Sequence, residues 1–481
     1  MTPSIAVIGS GFGGLAAVIE LKKRGFDDIV VFEKADEVGG VWRENTYPGA
    51  ACDVPSPFYS YSFEPNPRWP HRYSRQPAIL DYIRQVAEKY DVARHIRFGT
   101  EVVSAAFDEV TGKWTVRVST GESVVVDVLV SAVGQLSRPV IPAIEGRETF
   151  GGKSFHSAEW DHEVDLTGKR VAVIGTGASA IQFVPEIQPH VEKLTVFQRS
   201  APYIIPRMDR EFSPRHQRMF EKLPVTELAE RGTWYGVVEG LSVAWVYAKP
   251  LAAAIKAVSK WHMRRQTKNA PGLFEKVWPD YPVGCKRILF SDNYLPALTE
   301  PNVEVTTAGI AEITPTGVRT VDGRDHEVDV IIWGTGFATT EFLAPMTITG
   351  TGGHPLAEEW RDGARAYFGM TVPRFPNLLV MYGPNTNSGG GSIIFFLEAQ
   401  AAYLARYVEH LAQAGRPLTV RPEVERAYDE RVQARLADSV WSKCSSWYRQ
   451  ADGRITTNWP LLGIQYKQQA RFDPADYEVV P

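Results

Sequence analysis

The sequence predicts an α/β protein built from two dinucleotide-binding, Rossmann-like units, the second inserted in the first and carrying a helical insertion of its own. Two glycine-rich loops lie about a domain apart, Gly9-Ser10-Gly11-Phe12-Gly13-Gly14 and Gly175-Thr176-Gly177-Ala178-Ser179-Ala180. Each follows a short apolar strand, Ile5-Ala6-Val7-Ile8 and Val171-Ala172-Val173-Ile174, and each opens a helix-patterned stretch. Strand-like runs return after residue 303, beyond a segment of helical spacing. One glycine loop is a weak signal; two, each correctly flanked, imply two dinucleotides held face to face, the layout that passes a hydride between cofactors.

Residues 1–35 read as strand, glycine turn, helix and strand. Ala16, Ala17, Ile19 and Leu21 give the helix an apolar side, and 29–32 is the second strand. Residues 101–133 alternate apolar and polar, which predicts a β-meander ending at Gly134. Residues 140–168 form a link rich in Pro and Gly, and a second βαβ unit runs over 169–199. Trp, Tyr, Leu, Ala and basic residues at helical spacing mark 206–282 as the helical insertion. After Val303 the strands 326–333 and 377–382, the loop 383–391 and a helix over 392–409 are expected to rejoin the first unit. The expected division is therefore 1–145, then 146–320, then 321–481.

A chain of 481 residues accommodates two or three such units. The hydrophobic fraction of 44% and charged fraction of 22% are ordinary for a soluble globular protein, and a net charge of −4 gives no reason to expect nucleic acid. Cys52, Cys285 and Cys444 are far apart and form no CxxC pair, which argues against a disulfide scaffold and for a reducing cytoplasm. The first residues open a strand at once, so no secretory leader is expected. The most apolar helical stretch, 235–258, contains Glu239, Lys249 and Pro250, a poor membrane span. It reads as core helix, with membrane-surface contact the lesser reading. No metal is expected.

The glycines have separate tasks. Gly9 allows a tight turn, Gly11 lets pyrophosphate approach the backbone, and Gly14 brings helix close to strand. The helix N-terminus then faces the phosphates. Glu33 ends the second strand, where an acid takes a ribose hydroxyl pair. The second loop uses Gly175, Gly177 and Ala180. Its following strand ends in Gln198-Arg199-Ser200 with no acid, which suits the 2′-phosphate of NADP. The alternative is a solvated charge at a strand end.

Two longer patterns go further. Gly39-Gly40-Val41-Trp42, followed by Tyr47-Pro48-Gly49 and Asp53, is similar to a fingerprint of type I Baeyer–Villiger monooxygenases, class B flavoprotein monooxygenases related to the flavin-containing monooxygenases. Phe150-x-Gly152-x3-His156-x3-Trp160-Asp161 resembles a second fingerprint, with every fixed position filled. Related N- and S-oxygenating enzymes usually carry Tyr or Phe in place of Trp160 and lack Asp161. The resemblance covers essentially the whole chain. It implies FAD at the first site, NADPH at the second, and insertion of one atom of O2 beside a ketone carbonyl through a C4a-peroxyflavin, giving an ester or lactone.

That chemistry demands a fixed cation, to keep a peroxide anionic and to stabilise charge on the former carbonyl oxygen. Arg287, in Val283-Gly284-Cys285-Lys286-Arg287, resembles the family's active-site arginine segment, and Asp53 would hold its guanidinium. Lys286 would join Arg199 and Ser200 at the 2′-phosphate. Read without the fingerprints, Arg287 is equally a loop charge and Asp53 a turn residue. Trp42 and Trp160 read as packing, and His156 as a linker anchor. Gln135 resembles a nicotinamide-side contact. Ser446-Trp447 resembles a mobile-loop pair near the nicotinamide ribose, with Trp441, Tyr448 and Trp459 equally surface or core. Thr335 and Gly336 are expected to approach the flavin with their backbone.

The loop Gly383–Gly391 departs from the best-known ketone oxidisers: Asn385, Asn387 and its glycine run look closer to N-oxygenating enzymes. The runner-up function is accordingly an amine or thioether oxygenase, where a neutral hydroperoxide needs no arginine. A pyridine-nucleotide disulfide reductase shares the two loops but needs paired cysteines by the flavin, and Cys52 has no near partner in sequence. A two-nucleotide sensor without catalysis is the remaining reading.

Overall fold

The computed structural model describes residues 2–246, 249–450 and 452–480. A five-stranded parallel sheet forms the first unit, in the order Leu378–Val380, Val128–Ser131, Ile5–Ile8, Ile29–Phe32, Ile96–Arg97. Its central strand is buried throughout, so an unbroken apolar run is what this position requires. Helix Phe12–Lys23 packs on helix Ile393–Ala414 through Leu15, Val18, Leu397 and Leu404, all buried. The helix sits close to its strand because residue 14 lacks a side chain: a Cβ there would lie 2.0 Å from the Gly9 carbonyl oxygen.

A second parallel sheet has the order Val303–Thr306, Lys193–Phe197, Arg170–Ile174, Val330–Trp333, Lys153–His156. This corrects the expected return at residue 321. The run 326–333 is two strands in two sheets. Asp325–Glu327 closes a small antiparallel sheet with Ile310–Thr314 and Gly317–Thr320, whereas Val330–Trp333 lies inside the second unit. Val330, Ile331, Ile332 and Trp333 are at most 2% exposed, a burial that only an interior strand provides. The chain rejoins the first unit only beyond Trp333, through Thr347–Thr349 and Leu378–Val380.

The meander is also revised. Val102–Asp108, Lys113–Val118 and Ser123–Val126 are antiparallel neighbours, but Val128–Ser131 crosses into the parallel sheet beside Ile5–Ile8. The insertion is helical: Pro214–Lys222, Pro224–Val246, Lys249–Gln266 and Leu273–Val277. Its apolar part is not core helix. Val238 is buried, but Val237, Leu251 and Val258 are 42–49% exposed, so these helices lie on the surface with one side packed. Tyr247 and Ala248 fall outside the described residues. Among the described residues no helix is long and apolar enough to cross a membrane.

Cysteine spacing misled. Cys285 and Cys444 form a disulfide, with Cα atoms 6.1 Å apart across 159 residues of sequence, and Cys52 alone is free and buried. The C-terminal segment folds back onto the Arg287 turn, a proximity invisible in linear spacing. Thiol titration of the unfolded, unreduced protein should therefore find one thiol per chain, and three after reduction; three before reduction would refute the link.

Candidate active site

One cavity of about 390 Å³ is lined by the first glycine loop, Glu33, Trp42, Asp53, Arg287 and Tyr382. At its phosphate end Gly9 has φ +99°, and a Cβ there would lie 2.9 Å from the Ala132 carbonyl. Gly11 faces Gly40 and leaves the loop backbone open. Glu33 is buried and clamps this loop: one carboxylate oxygen accepts from Ser10 N–H and Oγ at 2.9 and 2.6 Å, the other from Ala35 N–H at 3.0 Å. A bare, positively polarised helix start beside a buried acid fits a dinucleotide.

Arg287 and Asp53 meet at 2.7 Å (Nη2 to Oδ1) from opposite units. The guanidinium opens to the cavity, 33% exposed, and the carboxylate is 20% exposed. Asp53 holds the Arg287 pKa above its ordinary value against the opposing effect of burial, so the cation is permanent. The turn before it is tied down by the disulfide at Cys285.

The fingerprint around Asp53 is an interface. The Tyr47 hydroxyl donates to Gln182 Oε1 at 2.9 Å, and Gln182 exchanges hydrogen bonds with the Ala51 backbone at 3.2 and 3.0 Å. Gly49 has φ +77°, and a Cβ would lie 2.7 Å from the Gln182 carbonyl. These residues sit against helix Ala180–Ile187 of the second unit. Trp160 packs on Phe155 and Phe183, with ring centroids 5.2 and 5.3 Å away, as a packing residue does. His156 is buried, accepts from Ala158 N–H at 3.1 Å and meets Phe337, consistent with a linker anchor.

In the second unit Gly175 has φ +110°, and a Cβ would strike the Gly334 carbonyl at 2.3 Å, whereas a Cβ on Gly177 would meet open space. Ala180 is fully buried where the helix meets the sheet. Lys286 Nζ donates to Ser200 Oγ at 3.0 Å. Burial, then the charge of Arg199, lower the Lys286 pKa. Two cations pressed together beside a hydroxyl form a donor set for a phosphate.

Other expected residues are placed differently. Thr335 and Gly336 do not line the cavity. The Thr335 hydroxyl donates to the Val140 carbonyl, and Gly336 accepts from Val140 N–H at 2.9 Å, so both sit in the crossover between units; Ala338 and Thr339 line the cavity instead. Gln135 does line it, but spends its amide N–H groups on the Tyr382 and Gly383 carbonyls, at 2.9 and 3.1 Å. Trp447 is 40% exposed and packs on Tyr448 with the rings tilted, while Trp441, Tyr448 and Trp459 are core aromatics. Sequence reasoning passed over Gln182, Tyr59 and Tyr382, and read Tyr448 only as a surface or core aromatic. Tyr59 accepts from Trp42 Nε1 at 3.1 Å. Tyr448 is buried beside Arg287, and burial pushes its pKa up to about 12, leaving a neutral phenol. No spacing rule marked these residues, because each reaches the site from a different segment.

A flavin-binding monooxygenase-like family model matches residues 2–226. Over 481 residues the chain is 44% identical to a Baeyer–Villiger monooxygenase of Streptomyces coelicolor, covering 99% of this chain and 92% of that protein. It is 42% identical over 480 residues to a Baeyer–Villiger monooxygenase of Pseudomonas aeruginosa, covering 99% and 91%. The solved complex of OTEMO with FAD and NADP superposes with a TM-score of 0.89 at 26% identity, over 100% of both chains. This chain belongs to the Baeyer–Villiger monooxygenase family.

Arg199→Ala and Lys286→Ala should each raise KM for NADPH roughly tenfold, the scale of a lost charge-assisted hydrogen bond, and affect NADH far less. Because the lowered pKa of Lys286 lets it lose its proton sooner as pH rises, KM for NADPH should climb at a lower pH than an ordinary lysine dictates. Steady-state kinetics with both nucleotides across pH check this; equal effects on NADH and NADPH would remove the phosphate assignment.

Proposed function

We infer that the protein is an FAD-dependent, NADPH-consuming monooxygenase that inserts one atom of O2 next to a ketone carbonyl, giving an ester or lactone. The observation that carries this reading is the Arg287–Asp53 pair at 2.7 Å in the cavity wall. Bound FAD, once reduced by NADPH, supplies the activated oxygen. Arg287 supplies a fixed positive charge that opposes the negative charge developing on the ketone oxygen. Asp53 keeps the guanidinium aimed and offsets its burial. Trp42, held by Tyr59, packs along the cavity. Glu33 serves the FAD ribose, and Arg199, Ser200 and Lys286 serve the NADP 2′-phosphate. Trp447 would serve the nicotinamide ribose, and Gln135 would act there through the Tyr382 and Gly383 backbone it supports.

An enzyme oxygenating amines or thioethers needs no permanent cation at this point, so a paired, cavity-facing arginine favours the ketone reading. The asparagines that suggested that alternative have structural work. Asn385 Nδ2 donates to the Ile455 and Asn458 carbonyls at 2.9 and 3.0 Å, and Asn387 Nδ2 to Asn458 Oδ1 at 3.1 Å. Dependence on NADPH places the enzyme in the cytoplasm on this reading, although the Cys285–Cys444 link removes the support that cysteine spacing lent to it.

Purified protein given NADPH, O2 and a panel of ketones beside a thioether should yield ketone products heavier by one oxygen. Arg287→Ala should lower ketone turnover at least about 100-fold while NADPH still reduces the flavin. Arg287→Lys should recover little, since an ammonium lacks the planar fork. Undiminished ketone oxidation in Arg287→Ala would end the reading.

A further inference from the structure

Tyr382 has a costly backbone conformation beside the cavity. Its φ is +59°, a left-handed conformation that a bulky residue resists and glycine adopts freely. The conformation is held from both sides. Its N–H donates to Gln400 Oε1 at 2.9 Å, and its carbonyl accepts from Gln135 Nε2 at 2.9 Å. Gln400 is fully buried and in turn donates to the Tyr466 hydroxyl at 2.9 Å; Gln135 is 7% exposed. Two buried amides thus fix one strained peptide, and strain persists where its surroundings over-determine it.

Tyr382 stands in the cavity wall with Arg287, Asp53 and Asn387. Its hydroxyl lies 3.3 Å from Asn387 Oδ1, a long hydrogen bond that a closer, better-aligned acceptor displaces. The phenol lies close enough to Arg287 for each to shift the other's ionisation, and burial keeps it protonated. A neutral O–H donor and a guanidinium therefore share one wall of the cavity.

We propose that Tyr382 is a substrate-positioning residue, whose strained turn presents its hydroxyl to the carbonyl oxygen of the bound ketone alongside Arg287. This rests on the monooxygenase reading above. Two donors on one oxygen fix the direction of the carbonyl plane, which a single guanidinium leaves free to rotate, and with it the face open to oxygen insertion.

Tyr382→Phe removes the hydroxyl and keeps the ring. The expected result is an unchanged Tm and a fall in ketone kcat/KM of roughly 3- to 10-fold, the scale of one neutral hydrogen bond. More of the consumed NADPH should end as hydrogen peroxide. Oxidation of a thioether, which has no carbonyl oxygen to hold, should not change. Wild-type ketone kcat/KM and coupling in Tyr382→Phe would overturn the proposal, as would equal losses on ketone and thioether. Tyr382→Gly should melt above Tyr382→Ala, because only glycine adopts this φ without strain; the reverse order would overturn the backbone argument independently of activity. A wild-type enzyme that oxygenates the thioether but no ketone would instead fail the functional reading itself, and this role with it.

Discussion

The Arg287–Asp53 ion pair is the contact on which the site depends. Its members are 234 residues apart, one on each nucleotide unit, and meet at 2.7 Å. Neither charge tolerates loss of its partner in a partly dry cavity: breaking such a pair leaves an uncompensated charge at a cost of about 3–5 kcal/mol. The pair therefore disfavours any arrangement in which the units separate, and makes the reaction centre a product of their docking. Each partner is also anchored locally. The Cys52 N–H donates to the Ser74 carbonyl at 3.1 Å just before Asp53, and the disulfide ties the turn just before Arg287.

The docking surface explains why the fingerprint has its composition. Tyr47 and Gly49 let the loop lie on helix Ala180–Ile187, with Gln182 satisfying backbone atoms that the interface would otherwise bury unpaired. Glycine at 49 is required twice over, by its positive φ and by the 2.7 Å approach to the Gln182 carbonyl. The 47–49 part of the motif thus encodes the relative placement of two units, while Gly39–Trp42 and Asp53 line the cavity itself.

The C-terminal segment closes the other side. Backbone N–H groups of Asn385 and Asn387 donate to the Thr456 and Thr457 carbonyls at 2.7 and 2.9 Å, and Trp459 N–H donates back to Asn387 at 2.9 Å. This pairing zips the glycine-run loop to the chain terminus and brings Tyr448 to Arg287 and Cys444 to Cys285. The strained turn at Tyr382 immediately precedes this zipper, so the peptide that shapes the cavity is braced by buried amides at its own position and by the paired loop segments beyond it.

Local chemistry made much of this legible from sequence. Glycine loops after apolar strands mark nucleotide turns because the turn and the close helix exclude side chains: Gly9 and Gly175 have the positive φ of a tight turn, and Gly14 shows the expected close approach of helix to strand. Arg199, from its place at a strand end, and Lys286, through the family resemblance, were expected at one phosphate site, and the structure sets Lys286 against Ser200 and close to Arg199. Tertiary structure decided what depends on which segments meet. Val330–Trp333 is an apolar run whose period cannot name its sheet, and only pairing with Arg170–Ile174 assigned it to the second unit. The apolar residues of the insertion gave no sign that one side would face water. The Cys285–Cys444 link and the convergence of Tyr382 and Tyr448 on Arg287 are contacts across long sequence separations, and residue patterns report neighbours along the chain, not across it.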